Sequence, residues 1–151
     1  MKKYLFLILL VVCFVIKADE FGHGLVYETE YYMEQHKMEE LLDAIRKVES
    51  QNGKYLIGKN KEFGPYQMKN IVIDDVNRIL GKNIYEYKDS MDEGKSREIC
   101  RIYVDYWAGK AGLRNNIEAM ARIWNGGPKG YKKESTIKYW NKIKEVLYVN
   151  N

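Results

Sequence analysis

The chain has 151 residues, 25 Lys and Arg against 21 Asp and Glu for a formal net charge of +4, and two cysteines. This length suits one domain with a single core and argues against two. Basic and acidic residues are interleaved along most of the sequence, with no basic arm or recognition motif, which excludes the usual ways of binding nucleic acid. Lysines do gather near the C-terminus, from Lys129 to Lys144, in the manner of a solvated helix face.

At the N-terminus Lys2 and Lys3 precede an apolar run from Tyr4 to Ile16, followed by Lys17-Ala18-Asp19-Glu20. A basic start, a short apolar stretch and a small residue before a polar segment predict a secretory signal over residues 1–18, cut after Ala18. The run is shorter than the roughly 20 apolar residues a bilayer span needs, so the product is expected to be exported without stable membrane insertion. Cleavage removes Lys2, Lys3 and Lys17, leaving a mature chain of about +1. It also removes Cys13. Cys100, between Ile99 and Ile102, then has no intramolecular partner and reads as a small buried apolar residue rather than a nucleophile.

Residues 19–37 are polar and Tyr-rich without a clear period and form an N-terminal extension; residues 38–151 form the folded domain. From Met38, Leu41, Leu42, Ile45 and Val48 make one helical stripe that ends at Gln51-Asn52-Gly53. Lys54 to Met68 holds two short apolar pieces around Gly58-Lys59-Asn60-Lys61-Glu62 and predicts a small antiparallel hairpin or meander. Further helices are predicted over Ile71–Leu80, Lys95–Gly109, Ile117–Trp124 and Thr136–Val149. The last carries Ile137, Trp140, Ile143 and Leu147 on one stripe, with Ser135 as its cap. Asn125-Gly126-Gly127-Pro128-Lys129-Gly130 reads as the loop before it. The fold class is α+β: mostly helical, with one small antiparallel sheet and a cleft between sheet and helices that holds an extended polymer.

Cleaving a glycosidic bond needs a carboxyl group that still carries its proton near neutral pH, which requires partial burial. Glu49 stands at the last turn of the first helix, on the edge of its apolar stripe. The negative end of the helix there also disfavours the carboxylate. Helix position alone does not separate it from a solvent-exposed glutamate.

The ordered company of Glu49 does. Glu49-Ser50, then Gly64-Pro65-Tyr66-Gln67-Met68, then Trp124-Asn125-Gly126 resemble the motifs of lysozyme-like glycan hydrolases and lytic transglycosylases. Ala121-Arg122, Asn125-Gly126-Gly127-Pro128, Gly130-Tyr131, Ser135-Thr136 and Tyr139-Trp140, together with Lys69, narrow the resemblance to the invertebrate-type, destabilase-like lysozymes over about Leu41 to Val146. The resemblance implies a lysozyme-like fold and a secreted muramidase, expected as a monomer, that cleaves between N-acetylmuramic acid and N-acetylglucosamine in peptidoglycan. Glu49 is then the general acid, and Tyr66, Gln67, Trp124 and Asn125 bind the glycan. No cofactor or metal is implied.

The sequence also departs from that family. The family is rich in cysteine, whereas the mature chain keeps one. The aspartate that serves as nucleophile between the first two motifs is missing, and Glu62 is the only acid in that interval; Asp74 and Asp75 are alternatives from the next helix. A single-carboxylate lytic transglycosylase and a non-catalytic glycan-binding relative are the competing readings. Isopeptidase activity is not expected: Lys69 matches the lysine tied to it, but Trp124 stands where the histidine would be.

Overall fold

The computed structural model describes residues 31–148; the proposed signal segment lies outside them. The described residues divide between two units at His36 and Lys37. Of the first, the described part is helical, with Tyr31 and Tyr32 edge to face at 6.0 Å.

The first helix, α1, covers residues 31–50 and is followed by α2 (Asn70–Leu80), α3 (Glu93–Lys110), α4 (Ile117–Gly126) and α5 (Ile137–Tyr148). Short 3-10 turns cover Tyr87–Met91, Gly130–Lys132 and Glu134–Thr136. The chain is thus already helical at Tyr31, ahead of the expected start at Met38: the polar residues there, Glu34 and Gln35 among them, are good helix formers even without an apolar stripe.

The predicted stripe of α1 is buried, with Leu41, Leu42 and Ile45 fully inside. They meet Ile73 and Val76 of α2, Ile99, Cys100 and Val104 of α3, Met120 and Ile123 of α4 and Ile143 of α5 in one core. The helix α3 lies against both α2 and α4, and α4 packs on α5. Asp92 caps α3 by accepting from Lys95 N at 2.8 Å, and Asn116 caps α4 by accepting from Ala119 N at 2.9 Å. Arg97 of α3 donates to Glu39 and Asp43 of α1 and to the Tyr66 hydroxyl, fastening α3 to α1 and to the loop that follows it.

Two expectations are corrected in α4 and α5. Asn125 and Gly126 form the last turn of α4 rather than the start of a loop, because the amide of Gly127, at φ 81°, still reaches Ile123 O at 2.8 Å. Ser135 lies inside a 3-10 turn instead of capping α5, and the inner face of α5 is rotated from the predicted stripe. Ile137 is 44% exposed, while Thr136, Tyr139 and Ile143 are buried.

No strand forms among the described residues. The predicted hairpin is a compact loop with two isolated antiparallel bridges, Ile57 to Phe63 and Phe63 to Met68. Lys61, Gly64 and Gln67 all have positive φ, and these tight turns interrupt each extended piece before a ladder can grow. Gly64, at φ 81°, lies against the Ser90 carbonyl so closely that any side chain would collide with backbone. The loop is held on its other side by the Tyr87 hydroxyl, which donates to Lys61 O at 2.7 Å, and by an edge-to-face contact between Tyr87 and Phe63.

Candidate active site

Glu49 occupies the last turn of α1, and the turn after it is fixed by its neighbour. The buried Ser50 hydroxyl donates to Arg46 O at 3.0 Å and accepts from Gly53 N at 2.8 Å, while Ser50 O accepts from Tyr55 N at 3.0 Å. The Ser in the Glu-Ser pair therefore serves geometry: it closes the helix and turns the chain into the 54–68 loop.

The Glu49 carboxyl is partly buried. Burial is the main cause that pushes its pKa up to about 7, and the nearby charge of Glu62 adds to it. Three groups act the other way: the Tyr139 hydroxyl, the Trp124 indole N–H and the positive charge of Lys142. A carboxyl so placed keeps its proton in mildly acidic water, as a general acid must.

Glu62 has the opposite character. Partial burial pushes its pKa up, but the Asn60 backbone N–H, donating to Oε2 at 2.9 Å, and Lys69, with Nζ 3.4 Å from Oε1, outweigh it and hold the carboxyl below the ordinary range. The site thus pairs a carboxyl that keeps its proton with one that gives it up readily. Asp74 and Asp75 are engaged elsewhere. Asp74 accepts from Asn70 at 3.3 Å, and Asp75 accepts from Trp107 Nε1 at 2.9 Å and pairs with Arg78.

Gly58 packs directly against Glu62. A Cβ at position 58 would stand 2.5 Å from Glu62 Oε2 and 2.5 Å from Gln67 Oε1, so both oxygens lie against Gly58 and would have to shift to admit a side chain. The Gln67 amide has its donor side committed, Nε2 reaching Gly64 O at 2.8 Å and Tyr55 O at 3.1 Å, while Oε1 lies against Gly58.

The remaining residues anticipated from sequence divide by exposure. Trp124 is partly exposed, with its ring edge to face with Tyr66 (6.4 Å) and with Tyr103 (5.9 Å). Asn125 is exposed at the end of α4. Tyr66 is completely buried and accepts from Arg97 at 3.1 Å, so its ring supports Trp124 from inside instead of lining the surface. Cys100 is a free, fully buried thiol whose pKa is raised by burial, as the sequence suggested.

Sequence reasoning named Tyr139 only within a motif and Gly58 only within the predicted hairpin, and gave neither a role at the site. The signal for Tyr139 was its i, i+4 spacing with Ile143, which marks a shared inner face. Gly58 has no local signal, since its need for space comes from Glu62 and Gln67. Among the described residues no helix is long and apolar enough to cross a membrane, and no cluster of three or more His, Cys, Asp and Glu is arranged to hold a metal.

No protein-family model matches the chain. Curated proteins do. A lysozyme of Ostrea edulis is 36% identical over 95 residues, covering 63% of this chain and 67% of the oyster protein. A lysozyme of Magallana gigas is 42% identical over 81 residues, 53% of this chain and 56% of that one. A lysozyme of Meretrix lusoria is 46% identical over 44 residues, 29% of this chain and 36% of that one. Among solved structures, the fold resembles a chain in the crystal structure of Aeromonas hydrophila PliI in complex with Meretrix lusoria lysozyme. The TM-score is 0.63 at 27% identity, over 72% of this chain and 89% of that one.

Proposed function

We propose, for a chain that belongs to the invertebrate-type lysozyme family, that Glu49 is the general acid of its muramidase site and Glu62 the ionised carboxylate that works beside it. The chain is a lysozyme-type glycoside hydrolase, and its substrate is peptidoglycan. The observation that carries the assignment is the opposed protonation of the two carboxyls: Glu49 raised to about 7, Glu62 held low by Asn60 and Lys69.

In this reading the glycan lies along the exposed edge of the 54–68 loop and the end of α4. Glu49 protonates the oxygen between N-acetylmuramic acid and N-acetylglucosamine as the bond to C1 breaks. Glu62 faces the positive charge that develops on the sugar ring, acting as nucleophile or as base toward water. Gln67 Oε1 accepts from a sugar N–H or hydroxyl, Trp124 offers a ring edge and part of its face, and Asn125 supplies an amide at the rim. Tyr66 contributes by backing Trp124.

The basic start and short apolar run at the N-terminus support export, with residues 1–18 as a signal, 19–37 as an extension and 38–151 as the catalytic domain. Digestion of purified peptidoglycan by wild type and by Glu49→Gln, with the muropeptides identified by mass, tests the assignment. Reducing N-acetylmuramic acid ends from wild type alone are expected. Anhydro ends would assign a lytic transglycosylase, and no release from either protein across about pH 4 to 8, from about 3 units below the acid's pKa of about 7 to about 1 unit above it, would leave a glycan-binding protein.

A further inference from the structure

The Tyr139 hydroxyl is a buried polar atom without a hydrogen-bond partner, on a side chain only 7% exposed. Buried hydroxyls are nearly always satisfied, because an unpaired one loses its bonds to water and gains nothing in return. Tyr139 sits in the first turn of α5, on the same inner face as the fully buried Ile143. It lies against the Glu49 carboxyl closely enough to interact with it, yet without closing a bond of standard geometry. An unpaired donor beside the one carboxyl that must change its charge during the reaction invites a functional explanation.

We propose that Tyr139 is a positioning residue whose hydroxyl stays unpaired while Glu49 is protonated and donates a hydrogen bond to the Glu49 carboxylate once the proton has left. This rests on the reading of Glu49 as the acid. In the cleavage step the bond from C1 to the glycosidic oxygen breaks, its electron pair stays on that oxygen, and the oxygen takes the Glu49 proton. The tyrosine gives up no proton; only its hydrogen bond forms. When water later attacks C1, it returns a proton to Glu49 and the hydroxyl is released again.

The surroundings leave this task to few groups. Glu49 is faced by Tyr139 and Lys142 from α5, by Trp124 from α4, by Cys100 from α3 and by Glu62 from the loop. Cys100 is a buried neutral thiol and Glu62 repels the new charge. Lys142 is exposed to solvent, which screens it. Two neutral donors, the Tyr139 hydroxyl and the Trp124 indole, are left to hold the anion in a partly buried position. A hydrogen bond to a charged group is stronger than a neutral one, so a donor kept unpaired in the resting state favours the state that follows proton transfer.

Tyr139→Phe tests this, because phenylalanine fills the same space and removes only the oxygen. With the full chain acting on peptidoglycan, kcat is expected to fall about tenfold with KM little changed. The alkaline limb of the pH profile moves up by about one pH unit, since Glu49 loses a donor that favours its carboxylate. A 13C NMR titration of Glu49 reads the same displacement without relying on turnover. The thermal midpoint is expected to hold or rise, as the variant lacks an unpaired buried hydroxyl. A lowered midpoint with the Glu49 titration and alkaline limb unmoved would mark a packing role and overturn the proposal. Wild-type turnover by Glu49→Gln would instead overturn the acid assignment beneath it. If Glu49→Gln is inactive and Tyr139→Phe titrates like wild type, the tyrosine's role alone is overturned.

Discussion

Lys69 Nζ lies 3.4 Å from Glu62 Oε1, while the Asn60 backbone N–H holds the other oxygen of the same carboxylate at 2.9 Å. Both contacts favour the ionised form, and Lys69 is the one a side-chain replacement can remove. Lys69→Met is therefore expected to raise the Glu62 pKa and move the acidic limb of the activity profile to higher pH. Lys69 is 56% exposed, so its pairing with Glu62 adds little to stability and the thermal midpoint should hardly change. An unmoved acidic limb would remove Glu62 from the mechanism.

The alkaline limb reports the other carboxyl. Because Glu49 titrates at about 7, kcat/KM on peptidoglycan should fall as pH rises through that value and not near the ordinary carboxylate range. Below about pH 7, where wild-type Glu49 keeps its proton, Glu49→Gln should reduce turnover by about a hundredfold to ten-thousandfold. A profile already falling near pH 5, well below about 7, would show that a different group supplies the proton.

The same group links stability to pH with a definite sign. A carboxyl whose pKa is raised from 4.5 in the unfolded chain to about 7 in the folded one stabilises the fold fully below 4.5, and this contribution is lost as pH rises to about 7. The loss is on the order of 3 kcal/mol from the size of the displacement. Thermal melts of Glu49→Gln and wild type should differ little at pH 4, below 4.5, and separate progressively up to about pH 7.5, beyond the folded value. The glutamine variant should be the more stable at the alkaline end. Parallel melts across this range would contradict the burial of Glu49.

Gly58→Ala should separate folding from activity. The new methyl would stand 2.5 Å from Glu62 Oε2 and from Gln67 Oε1, which can move aside as the ends of flexible side chains, and 3.0 Å from Glu62 Cβ, which would give by a few tenths of an ångström. Circular dichroism and the thermal midpoint should change by no more than about 1 kcal/mol equivalent. Turnover should fall at least about tenfold, because an ångström of displacement at a reacting group is costly. Full activity in this variant would mean that Glu62 tolerates displacement and has no positional role.

The helical frame was largely readable along the chain because helix formation follows local rules. Leu41, Leu42 and Ile45 repeat at the spacing that marks an inner face, Gly81 stops α2 in the left-handed conformation, and Asn116 caps α4 from the residue just before it. The loop was harder. Alternating apolar pieces around Gly58 to Glu62 suggested a hairpin, but positive φ at Lys61 and Gln67, neither a glycine, breaks it into isolated bridges. The loop is also held by the Tyr87 turn, far along the sequence, through Lys61 O and the Phe63 ring.

Order and residue type alone determined that this chain joins a helix-end Glu-Ser pair, a Gly-Pro-Tyr-Gln segment and an Asn-Gly turn within one small domain, and so which family it resembles. Tertiary structure decided what each residue does there. It buried Tyr66 and left Trp124 at the surface, turned Asp75 toward Trp107, and brought Tyr139 of α5 and Glu62 of the loop to opposite effects on Glu49. The physical reason is range. Helical periodicity and capping act over a few residues, whereas the protonation of a carboxyl depends on every charge, donor and apolar surface that folding gathers around it, whatever their separation along the chain.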